Sequence, residues 1–106
     1  MNNAMDAFDV LSVSLEGGEV SQGKLFGHRC LKVKGKAFLV DFDGDLVFKL
    51  GQEAISTWLA DHQDLHRFDP SGKGRPMKDW LQAPMAHSDQ FQIWAEASMV
   101  FALETA

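Results

Sequence analysis

The feature that most limits the fold lies between residues 20 and 50, where the hydrophobic period changes from helical to alternating. Val20–Phe26, Arg29–Val33, Lys36–Phe42 and Leu46–Leu50 each read as strands, and glycine-bearing turns separate them. Consecutive hairpins of this kind build an antiparallel sheet, with no helix between strands to make a parallel crossover. A two-residue turn at Lys34-Gly35 sets Leu31 opposite Phe38 and Cys30 opposite Leu39. For the next hairpin a three-residue turn, Asp43-Gly44-Asp45, sets Phe42 opposite Leu46 and Val40 opposite Phe48, whereas a two-residue turn mixes the faces. The three-residue turn collects Leu31, Val33, Phe38, Val40, Phe42, Leu46, Phe48 and Leu50 on one apolar face. Cys30, Lys32, Ala37, Leu39, Asp41, Val47 and Lys49 then form the opposite, mixed face.

Helical spacing flanks this meander. Over Asn3–Leu15, Ala4, Phe8, Leu11 and Leu15 make one apolar stripe, and Gly17-Gly18 ends the helix. A second helix is predicted from Gln52 to His62, with Ala54, Ile55, Trp58 and Leu59 inward. Asp64–Pro76 has no period and contains Pro70, Gly72, Gly74 and Pro76, so it reads as a long loop. Met77–Gln82 forms a further strand, which Pro84 ends. A last helix starts at the capping Ser88 and runs to Leu103, with Phe91, Trp94, Ala95, Ser98 and Ala102 on one side. The expected class is α+β: a mostly antiparallel sheet of about five strands with helices packed on one face. The order is helix, four strands, helix, strand, helix.

At 106 residues, with 45% apolar and 24% charged, the chain suits a single globular domain spanning 1–106. No apolar run approaches the ~18 residues of a membrane span, and the acidic, polar N-terminal stretch is unlike a signal peptide. A cytoplasmic location and no membrane partner are expected. One cysteine, Cys30, makes neither an internal disulfide nor a multi-thiolate zinc site. The net charge of −5 argues against general nucleic-acid binding. Its distribution is uneven: residues 1–19 hold Asp6, Asp9, Glu16 and Glu19 with no base, and residues 20–40 hold Lys24, Arg29, Lys32, Lys34 and Lys36 with no acid. Solvated faces are the plainer explanation of such runs.

Several motifs invite chemistry. Phe38-Leu39-Val40-Asp41-Phe42-Asp43-Gly44-Asp45-Leu46 resembles the nucleophile motif of haloacid dehalogenase-like phosphatases, in which paired aspartates act with magnesium. That motif ends a parallel strand and leads into a helix, whereas this chain returns at once as a strand, so turn-forming acids are the simpler reading. Asp41, Asp43 and Asp45 lack the glycine and distal glutamate of a calcium loop. His62 and His66 have a zinc-compatible spacing without a third ligand, and read as surface histidines. Ser71-Gly72-Lys73-Gly74-Arg75 has glycines and cations but not the order of a Walker loop. Its amides, with Lys73, Arg75 and Lys78, form a candidate weak phosphate or sulfate site with Arg75 as main donor. No metal or cofactor is implied. Mid-strand, Cys30 reads as packing, as do Trp58, Trp80 and Trp94.

Two motif blocks together resemble the TfoX N-terminal domain family, named for bacterial competence regulators. The first is Leu25-Phe26-Gly27, Gly35-Lys36-x-Phe38 and Leu46-x-x-Lys49-Leu50. The second is Phe68-Asp69-Pro70, Gly74-Arg75-Pro76-Met77-Lys78-Asp79-Trp80 and Pro84. They span roughly residues 20–103; Leu25 and His28 stand where the family often has Met and Gly. The resemblance implies an α+β fold similar to YjbR-like domains, no catalytic residues and no cofactor. Longer relatives carry a second, helical domain and act in transcriptional activation.

The functional expectation is a non-enzymatic interaction or regulatory domain, cytoplasmic and bacterial, acting on an unidentified protein partner. The mixed face of Cys30, Lys32, Ala37, Leu39, Asp41, Val47 and Lys49 is the candidate contact surface, and a two-fold homodimer through it is expected, disrupted by Leu39→Arg without loss of folding. The alternatives are a small-ligand or nucleotide-binding protein or small enzyme using Asp64–Pro76 with Asp41 and Asp43, and sequence-independent nucleic-acid binding through the basic hairpin.

Overall fold

The computed structural model describes residues 4–15, 19–70, 72, 74 and 76–104, with the backbone alone at 4–6. Helix α1 (Ala4–Ser14) precedes strands β1 (Val20–Leu25), β2 (His28–Val33), β3 (Lys36–Phe42) and β4 (Asp45–Lys49). Helix α2 (Gln52–Asp61), strands β5 (His66–Phe68) and β6 (Met77–Ala83), a 3-10 segment (Met85–Gln90) and helix α3 (Phe91–Glu104) follow. The class is α+β, with a six-stranded antiparallel sheet in the order β1-β2-β3-β4-β6-β5. The expected element order holds. The sixth strand is β5, three residues inside the stretch read as loop and too short to show a period.

Three turns of one kind join the first four strands. In Phe26-Gly27, Lys34-Gly35 and Asp43-Gly44 both residues have positive φ, the geometry whose twist matches that of the strands it joins. Lysine and especially phenylalanine pay for this backbone with strain of about 1–2 kcal/mol. The Asp43 turn is therefore two residues long, not three, and Asp45 pairs with Phe42. That should have mixed the faces, and a bulge prevents it. Leu31 pairs with Leu39 but Lys32 with Ala37, leaving Phe38 as one extra residue in β3.

The bulge corrects the expected faces. Phe38 and Leu39 both enter the core beneath the helices, and beyond them the alternation is inverted. Val40 and Phe42 move to the other face, while Leu39 leaves it. Leu31 meets Leu39 instead of Phe38, Cys30 meets Val40 instead of Leu39, and Val40 meets Val47 instead of Phe48. Like then faces like across β3 and β4, Leu39 with Phe48 and Val40 with Val47.

All three helices contribute to the covered face. Helix α1 brings Phe8 and Leu11, with Leu15 just past its end, α2 brings Ile55, and α3 brings Phe91, Trp94, Ala95, Ser98 and Ala102, all buried. Trp58 and Leu59 are partly buried, whereas Ala54 is exposed, because α2 touches the sheet only along a narrow line. The last helix begins later than Ser88, since His87 breaks the helical geometry and a 3-10 turn intervenes. No helix among the described residues is long and apolar enough to cross a membrane.

The other sheet face has no helix, yet Cys30, Val40, Val47, Phe68 and Trp80 are buried on it. Curvature explains this. Phe26, in the turn at one edge, lies 6.2 Å from Phe68 on the opposite edge strand, measured between ring centroids. Six flat strands at about 4.8 Å spacing would hold the edges roughly 24 Å apart. The sheet is curled over its own side chains, and Phe42 bridges Phe68 at 4.8 Å and His28 at 4.5 Å.

Leu39 is fully buried under the helices, so Leu39→Ala should cost about 2–5 kcal/mol in urea unfolding. A cost under about 1 kcal/mol, as for an exposed position, would restore the uninterrupted alternation.

Candidate binding face

The strand-only face carries Lys32, Ala37 and Lys49 above Cys30, Val40 and Val47. Lys32 pairs with Ala37 and Lys49 with Trp80, so these residues occupy the sheet end bearing the Lys34-Gly35 turn. The Lys49 ammonium sits 5.9 Å from the centre of the Trp80 ring, within cation–π range. Lys32 lies along Gly23 of the edge strand, where an added Cβ would come within 2.8 Å of its Cε. Gly23 thus leaves the trough in which the lysine stem rests. Lys78 is exposed two residues before Trp80. The result is a cationic end of the sheet with Trp80, Ala37 and Met77 between the lysines.

Two members of the expected contact surface are elsewhere. Leu39 belongs to the helix-side core. Asp41, past the bulge, points the same way and accepts a hydrogen bond from Arg29 at 3.2 Å. Arg29 also donates to Asp9 of α1 at 2.9 Å and stacks 4.4 Å from the centre of the Phe8 ring. Partial burial alone would lower the Arg29 pKa, but the two carboxylates outweigh it and the net direction is upward. Arg29 is spent as a strut between α1, β2 and β3, which removes it from the basic hairpin. Cys30 and Val47 do lie on the strand-only face, but beneath its surface. Burial pushes the Cys30 thiol up, against the pull of Lys32, so it is a poor nucleophile.

The carboxylates of the phosphatase-like string are dispersed. Asp41 is held by Arg29, Asp43 is exposed in its turn, and Asp45 accepts from the Gln82 amide at 2.8 Å. Lys73 and Arg75 fall outside the described residues. The amides expected to hold an anion already have one: the Asp69 carboxylate accepts from Gly72 N–H at 3.1 Å and Gly74 N–H at 2.9 Å.

A cluster the sequence did not announce joins α2 to the 3-10 segment. His62 packs edge-on to His87 at 5.1 Å, and Trp58 and Trp94 flank them at 5.7 and 6.0 Å. The His87 Nε2 lies 2.9 Å from both oxygens of Asp64. Nothing in the spacing of residues 64 and 87 marks this pair; only the fold brings them together. His66 is exposed on β5, and the described residues hold no group of three or more side chains placed to bind a metal.

The bases are confined to the sheet, whereas acids lie on helices and strands alike, Asp41, Asp45 and Asp79 among the latter. Every described lysine and arginine lies on a strand or on the Lys34 turn. Helices α1, α2 and α3 carry none, and their charged residues, among them Asp9, Glu53, Asp61 and Glu96, are all acids. Comparison with protein-family models, curated proteins and solved structures finds no match to this chain.

The His87 contact holds the Asp64 carboxyl below the usual carboxylate range near about 4. A lowered folded-state pKa means stability that is present above that range and lost as pH falls through the folded value. Asp64→Asn should therefore melt lower than the parent at neutral pH, and the gap should close in strong acid. A gap independent of pH would assign the effect to something other than the carboxylate charge.

Proposed function

We propose that this chain is a non-catalytic interaction domain that holds an acidic protein segment on the cationic end of its strand-only face. The carrying observation is that Lys32 and Lys49 stand on the sheet face opposite the helices, which no helix covers among the described residues, while the helices carry only acids. Carboxylates of the partner would meet Lys32 and Lys49, with the exposed Lys78 close in the chain, and its apolar side chains would meet the partly exposed Ala37 and Met77. Charge of this kind speeds and selects encounters more than it adds raw affinity. A hydrolytic role has less support, because Asp41 is already engaged by Arg29. The basic hairpin is likewise a weaker nucleic-acid surface once Arg29 is committed to Asp9 and Asp41. A regulatory adaptor in a bacterial cytoplasm accords with the resemblance to TfoX N-terminal domains.

The test is titration of poly-glutamate into isotopically labelled protein. The amide signals of Lys32, Ala37, Lys49 and Trp80 should move. Affinity should fall at least about tenfold in Lys32→Glu/Lys49→Glu, and it should weaken as salt screens the charges. Shifts confined to the helices, or none, would overturn the proposal. Tighter binding of a single-stranded oligonucleotide at the same face would replace the protein partner by a nucleic acid.

A further inference from the structure

The two edges of the sheet are unlike. Strand β5 has three residues and breaks register between Arg67 and Phe68, a short and irregular form that resists further pairing. Strand β1 has six residues, pairs with β2 without interruption and holds no proline. Lys34 N–H donates to the Glu19 carbonyl at 3.2 Å, and alternation from that pair turns the N–H and C=O of Ser21, Gly23 and Leu25 toward β2. Those of Val20, Gln22 and Lys24 point away from the sheet, and no described residue bonds them. A regular edge left open in this way is a template for one more strand.

The two sides of that edge offer different chemistry. On the helix side, Ser12 and Val13 of α1 face Val20, Gln22 and Leu31 across a groove of about 270 Å³. Val13 is 68% exposed, and α1 carries acids and no base, so the groove suits an aliphatic side chain and repels a carboxylate. On the strand-only side Gly23 has no side chain, and Lys32 lies across it: an added Cβ would stand 2.8 Å from Lys32 Cε and 3.2 Å from Nζ. The ammonium is thereby carried from β2 over β1, one strand spacing of about 4.8 Å from where a further strand would run. No carboxylate among the described residues pairs with it.

We propose that the acidic partner segment binds as an extended strand added to β1, and that it alternates acidic with aliphatic residues. Its backbone continues the sheet through Val20, Gln22 and Lys24. A carboxylate placed beside Gly23 meets Lys32, and the residues before and after it, pointing to the opposite face, enter the α1–β1 groove. This inference rests on the reading of Lys32 as a contact for an acidic partner, and adds the mode of binding and the pattern recognised.

A short capped peptide alternating glutamate and valine, added to the isotopically labelled full chain, tests it against a peptide of the same composition with the two residue types in separate blocks. The alternating peptide should bind more tightly, and it should slow hydrogen exchange at the Val20, Gln22 and Lys24 amides at least about tenfold. Gln22→Pro removes an outward N–H without touching the β1–β2 ladder, so it should keep the fold, as circular dichroism would check, and bind at least about tenfold more weakly. Gln22→Thr keeps that N–H and should bind like the parent. Lys32→Gln should weaken binding as well. Binding that moves Lys49 and Trp80 but leaves the three edge amides unprotected, equal affinity for the block peptide, or a folded Gln22→Pro variant that binds like the parent overturns strand addition and leaves the acidic partner standing. Failure of both peptides to bind overturns both readings. The exchange measurement on the parent decides even where the proline variant does not fold.

Discussion

One extra residue in β3 decides how this sheet is built. With two-residue turns on both sides, an uninterrupted β3 would send some of its apolar residues to the wrong layer. The bulge at Phe38 reverses the alternation midway, so that Phe38 and Leu39 serve the helix-side core while Val40 and Phe42 serve the opposite one. Both layers close as a result. Local twist increases at a bulge, which fits a sheet curled enough to bring Phe26 near Phe68.

The same residue explains what could be read in advance and what could not. Hairpins, helices and their order follow from glycine turns and from apolar spacing, and the inward face of α3, from Phe91 to Ala102, was legible residue by residue. A bulge has no period of its own. Its presence shows only in the conflict between an Asp-Gly pair, which favours a two-residue turn, and a face pattern that demands three. Resolving the conflict in favour of the pattern put Leu39 and Asp41 on the wrong side. Cys30, Lys32, Val47 and Lys49 keep their expected face because β2 and β4 lack the interruption, and Ala37 keeps it because it precedes the bulge in β3. Contacts between distant segments, such as Asp64 with His87 or Asp69 with its own loop amides, leave no trace in spacing.

The helices carry acids and no bases, while the strands carry the bases together with Asp41, Asp45 and Asp79. Arg29 reaches from the sheet to the helices, tying Asp9 of α1 to Asp41 of β3 over the Phe8 ring. Exposed pairs of this sort contribute little alone. Here the guanidinium also covers an aromatic face, so its removal would uncover apolar surface as well as charge.

The position of α3 bears on how the chain reaches its native state. The meander from β1 to β4 is made of contacts between near neighbours, and such contacts form early in a folding reaction. Its apolar side, however, is roofed chiefly by a helix that comes much later in the sequence, Phe91 and Trp94 closing over Phe48. Without that helix Phe48 lacks the two rings that close over it, whatever α1 and α2 have already covered. Docking of α3 is therefore the step that completes the core.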